Sequence, residues 1–351
     1  MKYFKLFNSC RVVKGAESSL IYDLERMDNS NSIPSSIYEI LTEHIDKSIE
    51  EIKTAYNNKY NTVIDEYFAF LIQNEYIFYC SKDELELFPT IDFEWKSPKK
   101  ITNSIIDYDG TIPIKQYENF IKELSSLGCE AVQIRNFASI TLDELKELMF
   151  LFEETSITAI QLVLKFNADL TDDQILSLQE HSPRLREVSI YNSPKKNTAN
   201  YLIRHLKGEI NPESDCGKID SNFFSIGFET FTEAQCHNTC LNQKISVDKN
   251  GLIKGCPSMK HSYGEIKKNT ITEVLEKNEV QKLWTINKNE IEICKDCEYR
   301  YCCTDCRVFT DHKNNNYSRP SKCNYNPYLG LWKGDEGYVE VNKWLAKSKT
   351  V

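Results

Sequence analysis

Alternating apolar positions near the start of the chain predict short β-strands. Two strand-like runs, YFKLF at residues 3–7 and SLIYDLE at residues 19–25, lie on either side of the turn-forming pair Lys14-Gly15. A third run, YIFYC, occupies residues 76–80. The pattern predicts a short hairpin and, at a distance along the chain, one further strand.

Helical spacing of apolar residues fills the interval between these strands. The apolar residues on the two predicted helix faces are Ile37, Ile40 and Leu41, then Val63, Tyr67, Phe70 and Leu71. A hairpin, helices and a closing strand are typical of a winged-helix-like module, which we place at residues 1–95. One interpretation is a peptide-recognition module whose edge strand accepts another chain. The other is an ordinary α+β domain packed on its neighbour.

A strand-helix unit repeats between residues 96 and 212. The predicted strands start near Ser104, Ala131, Ala159 and Glu187, at offsets of 27, 28 and 28 residues. Helix start and stop signals separate them, namely Pro113, Gly128, Thr141 with Glu144, and Thr171 with Gln174. Offsets of this length suit βαβ units. The sequence therefore predicts an α/β fold with a parallel sheet or a partial (β/α) barrel.

The loop after the first of these strands is the place where a barrel positions catalytic groups. Its sequence is DYDGTIPI, and it contains the carboxylates of Asp107 and Asp109. Two carboxylates are able to bind a cation, but aspartates beside a glycine are more often turn formers. We therefore expect a turn here rather than a metal site.

Residues 213–351 contain most of the 13 cysteines. The segment CLNQKISVDKNGLIKGC begins at Cys240, ends at Cys256 and has two strand-like runs joined at Asn250-Gly251. This dipeptide supplies the positive φ angles of a tight hairpin. The hairpin is expected to bring Cys240 and Cys256 toward one end.

A cysteine-dense stretch, ICKDCEYRYCCTDCRVF, follows at residues 293–309. Cys294 pairs in sequence with Cys297, and Cys303 with Cys306, each across two residues, and Cys323 stands in a later loop. Such spacing lets a short loop wrap around one metal centre. Before this stretch, TITEVLEKNEVQKLW predicts a spacer helix that begins with a capping box.

Charge and hydropathy narrow the function classes. A formal net charge of -9 disfavours a broad nucleic-acid interface, which needs a surplus of Lys and Arg. No apolar stretch approaches the roughly 18 residues of a membrane span. We therefore expect a cytoplasmic protein with no nucleic-acid or membrane partner. Cytosolic thiols are kept reduced, so the cysteines are expected to bind metal rather than to form disulfides.

Two metal chemistries are compatible with these thiols. Structural zinc sites use cysteine-rich tetrahedra. Iron–sulfur clusters use four cysteine thiolates each, so eight suitable cysteines would complete two clusters. The only histidines in the region are His237, His261 and His312. Their scarcity favours all-thiolate sites but does not separate iron from zinc.

The cysteine series resembles a known family. The run from Cys240 through Gly251 and Cys256 to the cysteines of residues 294–323 is similar to a SPASM domain, which binds auxiliary iron–sulfur clusters in peptide-modifying radical SAM enzymes. NTCLNQKISVD, GCPSM, CKDCEYRY and KCNYNPY resemble the SPASM proteins of grasp-with-spasm peptide maturation systems. This resemblance extends over nearly the whole chain. It implies a ribosomal precursor peptide, an ATP-grasp ligase as partner, and leader-peptide recognition by residues 1–95.

The resemblance also implies two [4Fe-4S] clusters and their ligands, with zinc as the alternative metal. The implied ligands are Cys240, Cys256 and Cys306 for one cluster, and Cys294, Cys297, Cys303 and Cys323 for the other. We predict Cys216, in a Cys-Gly pair, as the missing ligand of the first cluster, with Cys236 as the alternative. Cys302, next to Cys303, is expected to be a packed apolar residue.

One departure from the family concerns the SAM-cleaving cluster. Radical SAM enzymes hold it with CxxxCxxC after the first barrel strand, where DYDGTIPI has no cysteine. The two CxxxC pairs of this chain fail at the third position, where Gln243 and Phe309 stand. The resemblance thus implies a degenerate radical SAM-like barrel, and we expect no SAM binding.

Two classes of function remain open. In the first, the chain is a non-catalytic adaptor that presents the precursor to the ligase, stabilised by its clusters or by zinc. In the second, it is a catalytic radical SAM/SPASM-type enzyme that modifies the peptide. No Gly-rich phosphate loop and no Ser-His-Asp pattern indicates an independent active site, so no catalytic residue is assigned. The absent motif favours the adaptor.

Overall fold

A computed structural model describes residues 1–26, 30–196, 201–211 and 215–348. The chain forms two compact units. The first contains residues 1–95, 219–239 and 286–351, and the second contains residues 96–218 and 240–285. The predicted boundary between residues 212 and 213 lies outside the described residues. The cysteine-rich part of the chain contributes to both units.

Five short strands begin the first unit. They are β1 (Tyr3–Leu6), β2 (Cys10–Lys14), β3 (Ser19–Asp23), β4 (Ser30–Ile33) and β5 (Ile77–Cys80). Strands β2, β3 and β4 form an antiparallel sheet in that order, and β1 pairs antiparallel with β5. The predicted hairpin exists, but its first strand is β2, which the sequence analysis missed, and not the run at residues 3–7. That run pairs with the predicted late strand instead.

Three helices pack against these strands. They are α1 (Ser35–Glu43), α2 (Ile49–Ala55) and α3 (Asn61–Gln73). The buried face of α1 is Ile37, Ile40 and Leu41, which confirms the prediction. The buried face of α3 is Ile64, Phe68 and Leu71, which lies beside the predicted one. Val63, predicted as buried, is 39% exposed.

Strand β3 is buried on both of its faces, and each of its residues is inaccessible to solvent. Ile21 belongs to the core formed with α1, α2 and α3. Leu20 and Tyr22 belong to a second core that includes Phe231 and Cys302. The N-terminal sheet and the late cysteine-rich segment are therefore parts of one packed unit.

The remaining elements of the first unit come from its later segments. They are α7 (Phe228–Cys236), β14 (Tyr325–Asn326), β15 (Leu331–Trp332) and α9 (Val341–Ser348). Strands β14 and β15 form a small antiparallel pair. Most of the cysteine-rich stretch is irregular, with one short 3₁₀ turn at Cys294–Asp296.

An eight-stranded sheet forms the centre of the second unit. Its strands are β6 (Asn103–Tyr108), β7 (Ala131–Asn136), β8 (Ala159–Lys165), β9 (Leu185–Tyr191), β10 (Ile203–His205), β11 (Ser246–Val247), β12 (Leu252–Lys254) and β13 (Gly264–Glu265). The spatial order is β10-β9-β8-β7-β6-β11-β12-β13. Strands β6 to β11 run parallel to one another in the sheet. Strand β12 pairs antiparallel with both β11 and β13. This mostly parallel sheet is consistent with a partial α/β barrel.

Four helices accompany this sheet. They are α4 (Glu118–Ser126), α5 (Leu142–Phe150), α6 (Asp172–His181) and α8 (Ile271–Glu276). Helices α5, α6 and α8 each begin with the predicted capping box, in which the side chains at the first and fourth positions bond to each other's backbone N–H. The strand starts at Ala131 and Ala159 are also as predicted.

The core of the second unit is continuous across its sheet. Ile106, Ile134, Leu162 and Ile190 lie on neighbouring strands and belong to one buried cluster. Val274 of α8 joins the same cluster. None of the helices within the described residues has the length and apolar character that crossing a bilayer requires.

Gly251 makes the predicted hairpin turn between β11 and β12, with a φ of 78°. A Cβ atom there would lie 2.7 Å from Ile112 Cδ1. We expect Gly251→Ala to lower the free energy of unfolding by about 1–2 kcal/mol, because L-residues disfavour this left-handed backbone. Urea unfolding followed by circular dichroism measures the change.

The matched control is Gly208→Ala, since Gly208 is exposed and a Cβ atom there meets nothing within 4 Å. We expect its unfolding midpoint to stay within experimental error of the parent. Equal midpoints for the two variants would contradict the role of the Gly251 turn.

Candidate functional site

Four of the predicted ligands line one cavity inside the first unit. They are Cys294, Cys297, Cys303 and Cys323. The space that the centre of a water molecule can reach there is about 30 Å³. A single water needs roughly 10–15 Å³ of such space. The four thiols therefore surround an opening larger than one water site.

Local backbone geometry gathers these thiols. Cys297 N–H donates to Cys294 O at 3.1 Å and closes the 3₁₀ turn between the first two. Ile293, just before the turn, has a positive φ of 69°, which is unusual for a β-branched residue. Cys323 N–H donates to Pro320 O, and Pro320 also lines the cavity. The CxxC pattern thus folds as a tight turn that presents its thiols to one space.

Aromatic rings form much of the remaining wall. Phe224, Tyr299, Tyr325 and Trp332 line the cavity. Tyr325 lies 4.8 Å from Trp332 and 5.1 Å from Tyr299, measured between ring centroids. These rings keep water away from the thiols, which raises the energetic cost of any uncompensated charge inside.

Burial disfavours the ionised form of three of these thiols, those of Cys294, Cys297 and Cys303. Burial raises the pKa of Cys303 to about 12. Burial, together with neighbouring acidic groups, also raises the pKa values of Cys294 and Cys297 well above the usual range for a thiol. A metal centre would supply the positive charge that favours the thiolate form.

Two buried cations face the same cavity. Lys288 is 4% exposed, and its ammonium group donates a hydrogen bond to Cys303 O. Burial lowers the pKa of Lys288, but the charges of Cys303, Asp305 and Cys294 more than offset this effect, so the pKa is raised overall. Arg319 is 5% exposed and donates to Cys323 O.

Cys302 and Cys303 point to different surroundings. Cys302 packs in the apolar core with Leu20, Tyr22 and Phe231. Its thiol donates a hydrogen bond to Tyr299 O at 3.5 Å, and burial raises its pKa to about 12. Cys303 lines the cavity. The assignment of Cys303, and not Cys302, as the ligand stays a prediction.

A second thiol group lies in the second unit. The thiols of Cys216 and Cys256 form a hydrogen bond, which together with burial and the charge of Cys240 holds the pKa of Cys256 well above its usual value. Arg135 is buried nearby. Burial lowers its pKa, but hydrogen bonding to Asp107 and the charges of Asp107, Cys256 and Cys216 raise it overall. Three of the predicted ligands are therefore close neighbours.

The other two candidate ligands for the cluster of Cys240 and Cys256 lie in the first unit. They are Cys306 and Cys236. Cys306 is buried, and its membership of the set stays a prediction. Cys236, the alternative to Cys216, is exposed at the end of α7. Within the ranges that the structure describes, no group of three or more His, Cys, Asp or Glu side chains is arranged to hold a metal ion.

Comparisons with known proteins give a weak structural likeness. No protein-family model matches the chain, and no curated protein sequence matches it. The crystal structure of Streptococcus suis SuiB bound to S-adenosylmethionine is similar over 91% of this chain and 99% of SuiB, with a TM-score of 0.36 and 12% sequence identity. A similarity this weak assigns neither a family nor a function.

The carboxyl end of β6 is filled by an ion pair. Arg135 donates to both carboxylate oxygens of Asp107, with Nε–Oδ1 at 2.6 Å and Nη2–Oδ2 at 2.9 Å. Asp109 Oδ1 accepts a hydrogen bond from Thr111 N–H at 3.0 Å, which confirms its role in a turn. Asp107 is instead the partner of a buried arginine on the neighbouring strand.

The structure also contains a Ser-His-Asp chain that the sequence analysis missed. Ser193 Oγ lies 2.9 Å from His205 Nδ1, and His205 Nε2 lies 3.1 Å from Asp172 Oδ2. Ser193 is 3% exposed, so its hydroxyl is not presented to a substrate. Asp172 and His205 are 33 positions apart in the chain, and the three residues follow no sequence motif. Only the folded sheet brings them together.

Replacing Cys303 should remove metal, whereas replacing Cys302 should not. We expect anaerobically purified Cys303→Ala to lose roughly half of the iron, because one of two four-thiolate sites is broken. Cys302→Ala should keep its iron and lose about 1 kcal/mol of stability through the small cavity it creates. Iron and sulfide analysis of the two proteins measures this, and the reverse outcome would show that the ligand assignment is wrong.

Cys216 and Cys236 are distinguished by a second pair of variants. We expect Cys216→Ala to lose iron, because its thiol lies against Cys256. Cys236→Ala should keep the iron content of the parent, since Cys236 is exposed. Iron loss in the Cys236 variant alone would reassign the ligand.

Proposed function

We propose that this chain is a maturation factor for a ribosomally made precursor peptide. It binds the precursor, acts with an ATP-grasp ligase in the cytoplasm, and holds two [4Fe-4S] clusters in a SPASM-like part. Its own role is that of an adaptor. The observation that supports this most is that the N-terminal strands and the four-thiol cavity belong to one unit, joined through β3.

The resemblance of the cysteine series to SPASM domains favours an iron–sulfur cluster over a single zinc ion. Both groups take four cysteine thiolates, and four cysteines line this cavity. The residues that would hold a cluster in it are Cys294, Cys297, Cys303 and Cys323. When bound, such a cluster links distant parts of the chain and can store a single electron.

Strand β4 offers an edge for the precursor. Among the described residues, β4 pairs with β3 alone, and its Ser32 is exposed. The opposite edge, β2, lies next to helix α1. An extended peptide can add to the free edge through backbone hydrogen bonds and gain specificity from side-chain pockets. We therefore assign leader binding to β4.

The adaptor role is favoured by the loop after β6. A SAM-cleaving cluster needs three thiolates there, and the sequence supplies none. The Asp107–Arg135 ion pair occupies the end of the strand. Catalysis of the peptide modification is therefore assigned to the ligase.

A reconstitution with purified proteins tests the proposal. A precursor peptide of a grasp-with-spasm system is incubated with the chain, with the ATP-grasp ligase of that system, or with both, and its mass is measured. We expect efficient modification only with both proteins. With SAM and dithionite, the reduced chain should produce no 5′-deoxyadenosine above a no-enzyme control.

Hydrogen exchange of the full chain supplies the control for binding. The precursor should protect amides of β4 and leave those of β5 unchanged. Production of 5′-deoxyadenosine would support the catalytic alternative, and unchanged exchange throughout would remove the precursor as a ligand.

A further inference from the structure

Three cationic side chains line the four-thiol cavity. They are Lys288, Arg300 and Arg319. Asp305, whose charge acts on Lys288, is already paired with Arg307 at 2.6 Å. Asp305 also accepts a hydrogen bond from Asn238 at 2.8 Å. Lys288 itself lines the cavity and donates a hydrogen bond to Cys303 O.

Two buried nitrogen atoms of Arg319 have no hydrogen-bond acceptor among the described residues. Its Nη2 donates to Cys323 O, whereas Nε and Nη1 have no hydrogen-bond acceptor within the described part of the chain. Asp311 Oδ2 is 4.0 Å from Nε, which is too far for a hydrogen bond. Leaving buried donors without an acceptor is energetically unfavourable. Such a side chain points to an acceptor that belongs to the cavity's occupant.

An iron–sulfur cluster has the charge that these cations match. Four thiolates around an oxidised [4Fe-4S] core give a net charge of minus two, and uptake of one electron makes it minus three. A negative group in a cavity walled by aromatic rings is costly unless cations compensate it. Lys288 and Arg319 are buried in that wall.

We propose that Lys288 and Arg319 are the positive partners of the cluster held by Cys294, Cys297, Cys303 and Cys323, and that they set its reduction potential. The inference rests on the cluster assignment of the proposed function. Both residues are positioning residues, because they act on the cluster through charge and hydrogen bonding. Both favour the reduced state, since reduction adds one negative charge.

A redox titration of the full-length protein tests this role. Dithionite supplies the electron, the cluster accepts it, and no bond is made or broken. The signal of this cluster is the one lost in Cys303→Ala when reduced samples are compared by electron paramagnetic resonance. We expect Lys288→Met and Arg319→Gln each to disfavour reduction at least tenfold, which is a shift of 59 mV to more negative potential for a one-electron couple.

Lys295→Met is the matched control. It removes the same charge next to Cys294 in sequence, but Lys295 is exposed and does not line the cavity. Solvent screens its charge, so we expect its potential to move by less than half as much. Lys288→Arg keeps the charge and should restore the parent potential even where Lys288→Met binds less iron.

The possible outcomes separate the two proposals. Parent-like potentials in Lys288→Met and Arg319→Gln, at parent iron content, would overturn this inference and leave peptide binding untouched. A protein purified with zinc and no reducible cluster would overturn it as well. If the potentials shift but the precursor is neither bound nor modified, the charge role stands and the maturation role fails.

Discussion

Burying thiols beside buried cations is the constraint on which the rest of this molecule depends. A thiol in a dry cavity resists ionisation, as the raised pKa values of Cys297 and Cys303 indicate. A lysine or arginine beside it is also costly without a partner. Each group is unfavourable alone, and a metal centre with anionic ligands satisfies both. In the second unit Arg135 also lies near Cys216 and Cys256, but there the carboxylate of Asp107 pairs with the cation.

This constraint explains why the cysteine-rich stretch has so little regular structure. Its backbone hydrogen bonds hold turns rather than helices, as at Cys294–Asp296. Its side chains are fixed from outside by the N-terminal sheet. Ser18 Oγ donates to Glu298 Oε1 at 2.8 Å, and the Tyr22 hydroxyl donates to Glu298 O at 2.5 Å. Ordering of this segment thus comes from its neighbour and, in our proposal, from its cluster.

Local signals in the sequence predicted much of the second unit. The strand spacing of 28 residues and the capping boxes at Thr141 and Thr171 depend only on nearby residues, and the structure confirms them. The positive φ of Gly251 was predicted from one dipeptide for the same reason. These features are set within a few residues of chain, so tertiary packing has little room to alter them.

The predictions from sequence were wrong where residues far along the chain determine which face is buried or which strands pair. Two apolar stripes run along α3, and packing buries the one through Ile64 and Phe68 rather than its neighbour. The run at residues 3–7 pairs with a strand more than 70 residues away. In the candidate site, the cysteine spacing suggested the ligands through resemblance. The cations Lys288 and Arg319 have no motif, so only the folded cavity reveals them.

Strand β3 has a consequence for how this chain could change over time. Its five residues have no solvent-facing side chain, because one face meets the helices and the other meets Phe231 and Cys302. The N-terminal segment therefore could not be exchanged between proteins as an independent unit. A substitution in SLIYD has to suit two cores at once, so the N-terminal strands and the cysteine-rich segment would have to diversify together.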